Sequence, residues 1–302
     1  MESTERWKLD AGEEGYPSTL MELSSPPASL YGRGSPGALE GPCISIVGAR
    51  RATPYGLAVA EMAARVAAEC GVTVVSGGAM GCDCAAGRAA LAAGGTTVVV
   101  SGCGADVTYP ASSADVFAGA VRAGGAVVSA EPWGAGPRRW TFPRRNALIA
   151  ALSQVLVVTE AGMRSGTMST ADAALELDRT VYAVPGSIFS PTSSGTNRLA
   201  SEGARVIVDE RSLELAISLD YGVARFAHAG ERAPMGPVMA ALVASPARPD
   251  ELASRLNEGV LTLLRTLTDY EASGIVERLP DGRYAPTRAF LLESGRAWEG
   301  SP

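Results

Sequence analysis

The chain has 302 residues, of which 46% are hydrophobic, and a formal net charge of −6 from 26 basic and 32 acidic side chains. This hydrophobicity excludes an intrinsically disordered chain, and the acidic balance excludes a histone-like or arm-type binder of nucleic acid. The acidic start and the lack of any run of about 18 apolar residues predict a cytoplasmic protein with neither signal peptide nor membrane span. Five cysteines and one histidine, His228, predict no disulfide framework and no metal site, and no cofactor is expected.

Turn signals dominate residues 1–40 and predict a short, partly irregular N-terminal lead. From residue 41 onward, short apolar runs alternate with amphipathic stretches. The predicted strands are 44–47, 72–75, 96–100, 126–128, 155–158, 181–184 and 205–208. The predicted helices between them are 55–69, 82–93, 112–122, 143–152, 166–178 and 195–202. Apolar strands that alternate with helices indicate an α/β fold, an extended Rossmann-like doubly wound parallel sheet over residues 41–212.

Beyond residue 212 the sequence predicts a linker, a small domain and a tail, at 213–236, 237–290 and 291–302. Within the small domain the pattern predicts three helices and a hairpin, at 238–244, 249–256, 258–273 and 275–285. This order is typical of a winged helix. The region from residue 235 onward carries seven basic and nine acidic side chains. We therefore expect it to contact protein rather than duplex DNA, because phosphate neutralisation supplies most of the affinity for a duplex.

Glycine-rich loops follow most strands of the predicted sheet, at 48–56, 76–83, 101–104, 164–170 and 185–187. The carboxyl ends of parallel strands share one edge, so these loops should lie together there. Backbone N–H groups in such loops and at helix starts bind anions. No loop matches the dinucleotide or P-loop motif, so a row of separate phosphate sites favours nucleic acid as the ligand.

Positive charge concentrates in residues 41–150, which carry nine basic and six acidic side chains. The connection after the fourth strand interleaves aromatic and basic residues: Trp133, Arg138, Arg139, Trp140, Phe142, Arg144 and Arg145. This composition is typical of a single-strand groove, with guanidinium groups on phosphates and rings on bases. The alternative is that Trp140 and Phe142 anchor the core. The positive start of the helix at residue 143 favours anion binding by Arg144 and Arg145 over an internal ion pair.

Several motifs occur in an order that resembles the DprA/Smf DNA-processing family. They are Tyr16-Pro17, Pro26-Pro27, Leu30-Tyr31, Ile46–Arg50, Ser76–Gly81 with Asp83, Tyr109-Pro110, Phe142–Asn146, Ser165–Thr167, Val184–Ser187 and Gly195–Asn197. The resemblance extends from about residue 16 to residue 285. It implies a non-enzymatic homodimer that binds single-stranded DNA, protects it, and helps load a RecA-type recombinase during natural transformation.

The resemblance also assigns roles to individual residues. Arg50, Arg144, Arg145 and Asn146 match family positions for DNA contact, and Ser165–Thr167 match a phosphate-cradling turn. With the loops above, the expected DNA- and phosphate-binding residues are Gly48, Arg50, Arg51, Ser76, Gly77, Gly81, Phe142, Arg144, Arg145, Asn146, Ser165, Gly166 and Thr167.

The chain departs from the family pattern at three positions. The family commonly has a basic residue at the position of Met80, a histidine at that of Gly87 and an arginine at that of Ala147. Two alternatives stay open. One is a nucleotide phosphoribohydrolase on a related fold, although the loop at Arg164–Thr167 lacks that group's double glycine and the next glutamate is Glu176. The other is a chromosomal DNA-maintenance role for the same DNA-binding fold.

Overall fold

The computed structural model describes residues 6–225 and 236–295. Nine strands of the first part form one sheet: β1 (Arg6–Asp10), β2 (Ser29–Gly34), β3 (Cys43–Val47), β4 (Thr73–Ser76), β5 (Thr97–Val100), β6 (Ala126–Ser129), β7 (Val155–Val158), β8 (Thr180–Ala183) and β9 (Arg205–Val206). The helices of this part are α1 (Pro54–Glu69), α2 (Cys82–Ala92), α3 (Ala114–Arg122), α4 (Thr141–Ala151), α5 (Gly166–Glu176), α6 (Ser194–Ser201) and α7 (Glu210–Tyr221).

The sheet has the order β1-β2-β6-β5-β4-β3-β7-β8-β9. The seven strands from β3 to β9 run parallel, while β2 pairs antiparallel with β6 and β1 pairs antiparallel with β2. From β3 the chain winds towards β6 in one direction and, after β7, towards β9 in the other. The doubly wound α/β fold that the sequence predicts is therefore confirmed, and its topological switch point lies between β3 and β7.

Both faces of the sheet are buried at β3 to β8, which explains why these strands are largely apolar. In β3, Ile44 and Ile46 face the core under α1 and α2, while Val47 faces the core under α4 and α5. Ser45 is the polar exception, and its hydroxyl donates to the Ile149 carbonyl at 2.7 Å. β3 thus lies at the centre of the molecule, and its carboxyl end is fixed from both sides.

The N-terminal lead predicted at residues 1–40 is more regular than expected, because β1 and β2 form a hairpin that extends the sheet. Trp7 lies over Gly32, where any Cβ would overlap the indole ring. The Trp7 indole N–H donates to the Gly34 carbonyl at 2.9 Å. A glycine inside a strand is typical of such a close approach, but in the sequence it indicated a turn.

The hairpin also contacts the loops beyond β5 and β6. The Arg33 Nε donates to the Ala105 carbonyl at 2.8 Å. Tyr31 meets Trp133 edge to face, with ring centroids 5.3 Å apart. The Arg6 guanidinium lies 5.1 Å from the Trp133 ring centroid. Trp133 therefore packs against the hairpin, at the start of the segment that leads into α4.

The linker predicted at 213–236 is wrong over its first part, because α7 occupies residues 210–221. Asp209 begins this helix by accepting a hydrogen bond from the Ser212 N–H, and the Ser212 hydroxyl accepts one from the Asp209 N–H. Leu213 and Ile217 are buried against the sheet, which accounts for a helix at this position. The expected linker residues 226–235 lie outside the described part of the chain.

The C-terminal unit contains α8 (Pro237–Ala244), α9 (Pro249–Leu256), α10 (Val260–Ala272), β10 (Val276–Arg278), β11 (Tyr284–Pro286) and α11 (Arg288–Gly295). Three helices precede an antiparallel hairpin, in the predicted order, and the assignment as a winged helix stays a prediction. The predicted tail at 291–302 begins inside α11, and residues 296–302 lie outside the described part. Arg288 of α11 forms an ion pair of 2.7 Å with the buried Glu61 of α1.

Candidate nucleic-acid interface

A cleft of about 760 Å³ lies at the switch point between β3 and β7. In open α/β sheets, ligands bind outside the carboxyl ends of the strands at such a point, because the adjoining loops diverge there. Three segments supply most of its lining, the loop from β3 to α1, helix α4, and the loop from β7 to α5, and the loops after β4 and β8 complete it. Eight of the thirteen predicted residues line it, namely Gly48, Arg50, Arg51, Arg145, Asn146, Ser165, Gly166 and Thr167.

Two glycines allow the loops after β3 and β4 to touch. A Cβ on Gly48 would lie 2.6 Å from the Cys82 sulfur, which is closer than real contacts allow. Gly81 has a φ of +81°, and a Cβ there would overlap the carbonyl of Ala49. The Cys82 N–H also donates to the Ala49 carbonyl at 3.2 Å. This close approach places Arg50 at the rim of the cleft.

The start of α5 is tied to the other two walls by side-chain hydrogen bonds. The Thr167 hydroxyl donates to the Gly48 carbonyl at 2.9 Å and accepts from the Ser165 hydroxyl at 2.9 Å. Ser165 also caps α5 by accepting from the Thr167 N–H. The Asn146 amide donates to the Gly166 carbonyl at 3.1 Å. These side chains therefore fix the shape of the cleft, and the positive helix start faces into it.

Arg145 and Asp83 form a buried ion pair at the floor of the cleft. Their charged atoms lie 3.6 Å apart, and the side chains are only 6% and 7% exposed. Burial raises the pKa of Asp83 and lowers the pKa of Arg145, because desolvation disfavours both charged forms. Among the described residues, the Arg145 Nε finds no hydrogen-bond partner. Gly77 makes room for this guanidinium, which any Cβ there would overlap.

The Phe142 ring contacts the guanidinium groups of two cleft arginines, Arg50 and Arg145. The guanidinium carbon of Arg50 lies 5.3 Å from the centroid of its ring, and that of Arg145 lies 5.9 Å away. The Tyr109 ring lies beside it, with centroids 6.0 Å apart. Half-buried Phe142 thus holds two cations by cation–π contact while its ring packs close to Gly102.

The expectation that Arg144 and Arg145 avoid internal ion pairs is wrong. Arg144 pairs with Glu131 at 3.2 Å, and Arg145 pairs with Asp83 as described above. Glu131 lies just after β6, in the connection that leads into α4, whereas Asp83 lies at the start of α2. Arg144 remains partly exposed, whereas Arg145 contributes a fixed, enclosed charge.

Five exposed arginines surround the cleft or lie on the segment leading into α4, and none takes part in an ion pair within residues 6–225 and 236–295: Arg50, Arg51, Arg138, Arg139 and Arg164. Trp140 is 56% exposed, so it does not anchor the core. The Arg138 guanidinium lies 5.9 Å from its ring centroid. The surface thus combines uncompensated positive charge with an exposed aromatic ring.

Five predicted residues do not line the cleft: Ser76, Gly77, Gly81, Phe142 and Arg144. The Ser76 side chain is buried, and its hydroxyl donates to the Ile46 carbonyl at 2.7 Å, so it stabilises the sheet instead of holding a ligand. The sequence also gave no reason to single out Glu160. This buried carboxylate accepts hydrogen bonds from the Thr53 N–H at 2.8 Å and hydroxyl at 2.7 Å, and so fixes the start of α1.

The three departures from the family pattern have different surroundings. Met80 is exposed beside the cleft, so a basic residue there would meet solvent. A Cβ on Gly87 would lie 2.5 Å from Val116, so a histidine needs a shift of the neighbouring helix. Ala147 is half-buried in α4. Within the described residues no group of three or more potential ligands could hold a metal ion, and no helix is long and apolar enough to span a bilayer.

The fold and this cleft define a Rossmann-like protein with an arginine-lined cleft at the switch point of its sheet. Residues 8–216 match the sequence profile of the family described as DNA recombination-mediator protein A. The chain belongs to this family, which confirms the resemblance to DprA and Smf proteins.

Relatives from several bacteria show how far the similarity extends. Protein Smf of Escherichia coli (strain K12) is 32% identical over 292 residues, which cover 93% of this chain and 78% of that protein. The chain spans only 52% and 42% of two other curated relatives. The X-ray structure of DNA processing protein A from Streptococcus pneumoniae is 34% identical with a TM-score of 0.65, over 71% of this chain and 75% of that one. The structure of DNA processing protein A from Helicobacter pylori, described for its single-stranded DNA binding mode, is 31% identical with a TM-score of 0.65, over 73% of this chain and 100% of that one.

Proposed function

We propose that the cleft binds single-stranded DNA and that the protein acts as a non-enzymatic recombination mediator. The observation that carries this proposal is a group of five exposed arginines, without ion pairs among the described residues, that surround the switch-point cleft or precede α4 in an otherwise acidic protein. Phosphates are the polyanionic ligand that such a group and an adjacent helix start would hold. The single-stranded DNA binding mode described for the Helicobacter pylori relative supports it.

The geometry favours a single strand over a duplex. Arg50, Arg51 and Arg164 would contact successive phosphates along the cleft. Trp140, beside Arg138, would stack on a base, which requires a base that is not paired in a helix. The buried Arg145 would present a fixed guanidinium at the floor of the cleft, since Asp83 and Gly77 hold it in place, but its pair with Asp83 adds no net charge.

Binding of oligothymidylate and of a duplex, measured by fluorescence anisotropy across a salt series, tests this proposal. Each phosphate contact on a single strand contributes about 0.7 to the slope of log affinity against log salt, so five arginines predict a slope of about −3.5. We expect Arg50→Ala to weaken binding about tenfold and to reduce the slope by about 0.7.

Arg122→Ala is the matched control for Arg50→Ala. Arg122 is exposed at the end of α3, just before β6 begins, and so lies at the opposite edge of the sheet. This control should bind like wild type. A slope near zero, or equal affinities for the two variants, would contradict single-strand binding at the cleft.

We also propose that the protein forms a homodimer through the β9 edge of the sheet. This edge strand and the outer face of α7 expose four apolar residues: Val206, Val208, Leu215 and Leu219. Leu215 and Leu219 lie one helical turn apart, opposite the buried Leu213 and Ile217. Leu219→Glu should yield a monomer in analytical ultracentrifugation, and Leu261→Glu, at an exposed apolar position in the C-terminal unit, should not.

The family description as a recombination mediator supports a role in loading a RecA-type recombinase. We expect the protein to shorten the lag in the recombinase's DNA-dependent ATP hydrolysis, and Arg50→Ala to lose this effect. We propose a cytoplasmic location and a role in natural transformation. Deletion of the gene would distinguish that role from chromosomal DNA maintenance, because only the first predicts a loss of transformants with normal resistance to DNA damage.

The geometry does not favour the phosphoribohydrolase alternative. Glu176, the glutamate nearest to the loop motif in that helix, is the last residue of α5. It lies ten residues after Gly166, about 15 Å along the helix from the cleft. Release of a free base from a nucleoside monophosphate would nevertheless establish that activity.

A further inference from the structure

The loop after β8 presents two apolar side chains to solvent at its tip. Ile188 is 83% exposed and Phe189 is 86% exposed, the highest values among the large hydrophobic residues of the described chain. Single exposed apolar residues are common on protein surfaces, but two adjacent ones at a loop tip suit a binding role.

Hydrogen bonds anchor the start of this loop and close its turn. The Tyr55 hydroxyl donates to the Pro185 carbonyl at 2.7 Å. The Asn197 side chain both accepts from the Gly186 N–H and donates to the Gly186 carbonyl, each at 3.0 Å. The Ser190 N–H donates to the Ser187 carbonyl at 3.0 Å and closes the turn. The tip is therefore pre-organised, which lowers the entropy lost when it binds a ligand.

The same loop leads directly into the wall of the cleft. Pro191 and Thr192 line the cleft, and Phe189 precedes Pro191 by two residues, a Cα separation of at most about 7.6 Å. The Ser194 hydroxyl accepts a hydrogen bond of 3.2 Å from the Met163 N–H, next to the unpaired Arg164. Phe189 thus stands beside the cleft on the side of Arg164, whereas Trp140 belongs to the segment that leads into α4.

We propose that Phe189 is a nucleobase-stacking residue that extends the single-strand track beyond the Arg164 side of the cleft. This inference rests on the proposed function, because the base belongs to a strand whose phosphates occupy the cleft. A rigid aromatic ring beside a row of phosphate-binding cations is the combination that non-specific single-strand binding uses. Every base has a π face, so Phe189 would add affinity without sequence preference.

The test measures oligothymidylate affinity for Phe189→Ala, Phe189→Trp and the matched control Ile188→Ala. Loss of one stacked base should weaken binding about tenfold in Phe189→Ala. Phe189→Trp should retain affinity because the ring is kept, and Ile188→Ala should stay within about twofold of wild type. Since both side chains are almost fully exposed, the variants should fold normally.

An oligonucleotide with abasic sites separates stacking from other contacts. A single abasic site is placed at each position of the strand in turn. We expect one position at which the missing base lowers the affinity of wild type but not that of Phe189→Ala. Equal binding of wild type and Phe189→Ala would overturn the inference. So would equal losses in Phe189→Ala and Ile188→Ala with a changed sedimentation coefficient, which indicates a protein contact. If wild type binds no strand, the proposed function fails as well; if only Arg50→Ala weakens binding, Phe189 stacking alone fails.

Discussion

Replacing Asp83 with asparagine should destabilise the protein through Arg145. The substitution keeps the size of the side chain but leaves a guanidinium that is only 6% exposed without a counter-charge. At 3.6 Å, with an effective dielectric constant of about 20, the lost attraction is about 5 kcal/mol. Because the amide oxygen still accepts a hydrogen bond, we expect a net loss of about 3 kcal/mol, at the low end for a broken buried pair.

The free energy of unfolding from urea transitions measures this loss, and Asp115→Asn is the matched control. Asp115 pairs with Arg88 at 2.6 Å, but both side chains are about half exposed, so its loss should be below about 1 kcal/mol. Single-strand affinity of Asp83→Asn should not fall, since loss of the carboxylate charge leaves the floor of the cleft more positive. Equal stability of the two variants would refute the view that Asp83 holds a buried charge in place.

Three further substitutions test other parts of the structure. Thr167→Val removes the hydrogen bond to Gly48 and should lower the free energy of unfolding by about 1–2 kcal/mol, measured by urea denaturation. Phe142→Leu removes the cation–π contact with Arg50 and should weaken strand binding about threefold in the anisotropy assay. Burial raises the pKa of Glu61, so its carboxyl group binds a proton more tightly in the folded protein than in the unfolded chain. The contribution of protonated Glu61 to the free energy of unfolding is therefore lost as pH rises through the raised pKa. Urea transitions at about pH 4 and about pH 7 measure this loss, and Glu61→Gln should abolish it.

The parallel part of the fold was predictable because its signal is local. Strands buried on both faces need continuous apolar runs, and the loops after them must meet at one edge. That reasoning places Arg50 and the start of α5 at a common edge, and the family resemblance adds Asn146. The same reasoning does not predict the ion-pair partner of Arg145. Asp83 lies 62 residues away in sequence, and no local pattern indicates that these two side chains meet.

Other features escaped prediction because their sequence signals point to different structures. Gly32 weakens the pattern of a strand, although the indole of Trp7 requires a glycine opposite it. The residues of α7 were grouped with the glycines and prolines that follow them, despite a capping signal at Asp209. In sequence, Ser76 resembles a ligand-binding serine. It ends strand β4, however, and its hydroxyl donates to the Ile46 carbonyl of the neighbouring strand β3.

The β1–β2 hairpin sets the smallest fragment of this chain that should retain a complete binding surface. Through Trp133 it supports the segment that carries Arg138 and Trp140, although no hairpin residue lines the cleft. A fragment that starts at β3 would keep every cleft residue and all seven parallel strands, yet expose the edge of β6 and release that segment. Domain boundaries drawn only around the parallel sheet would therefore separate the outer part of the surface from its support.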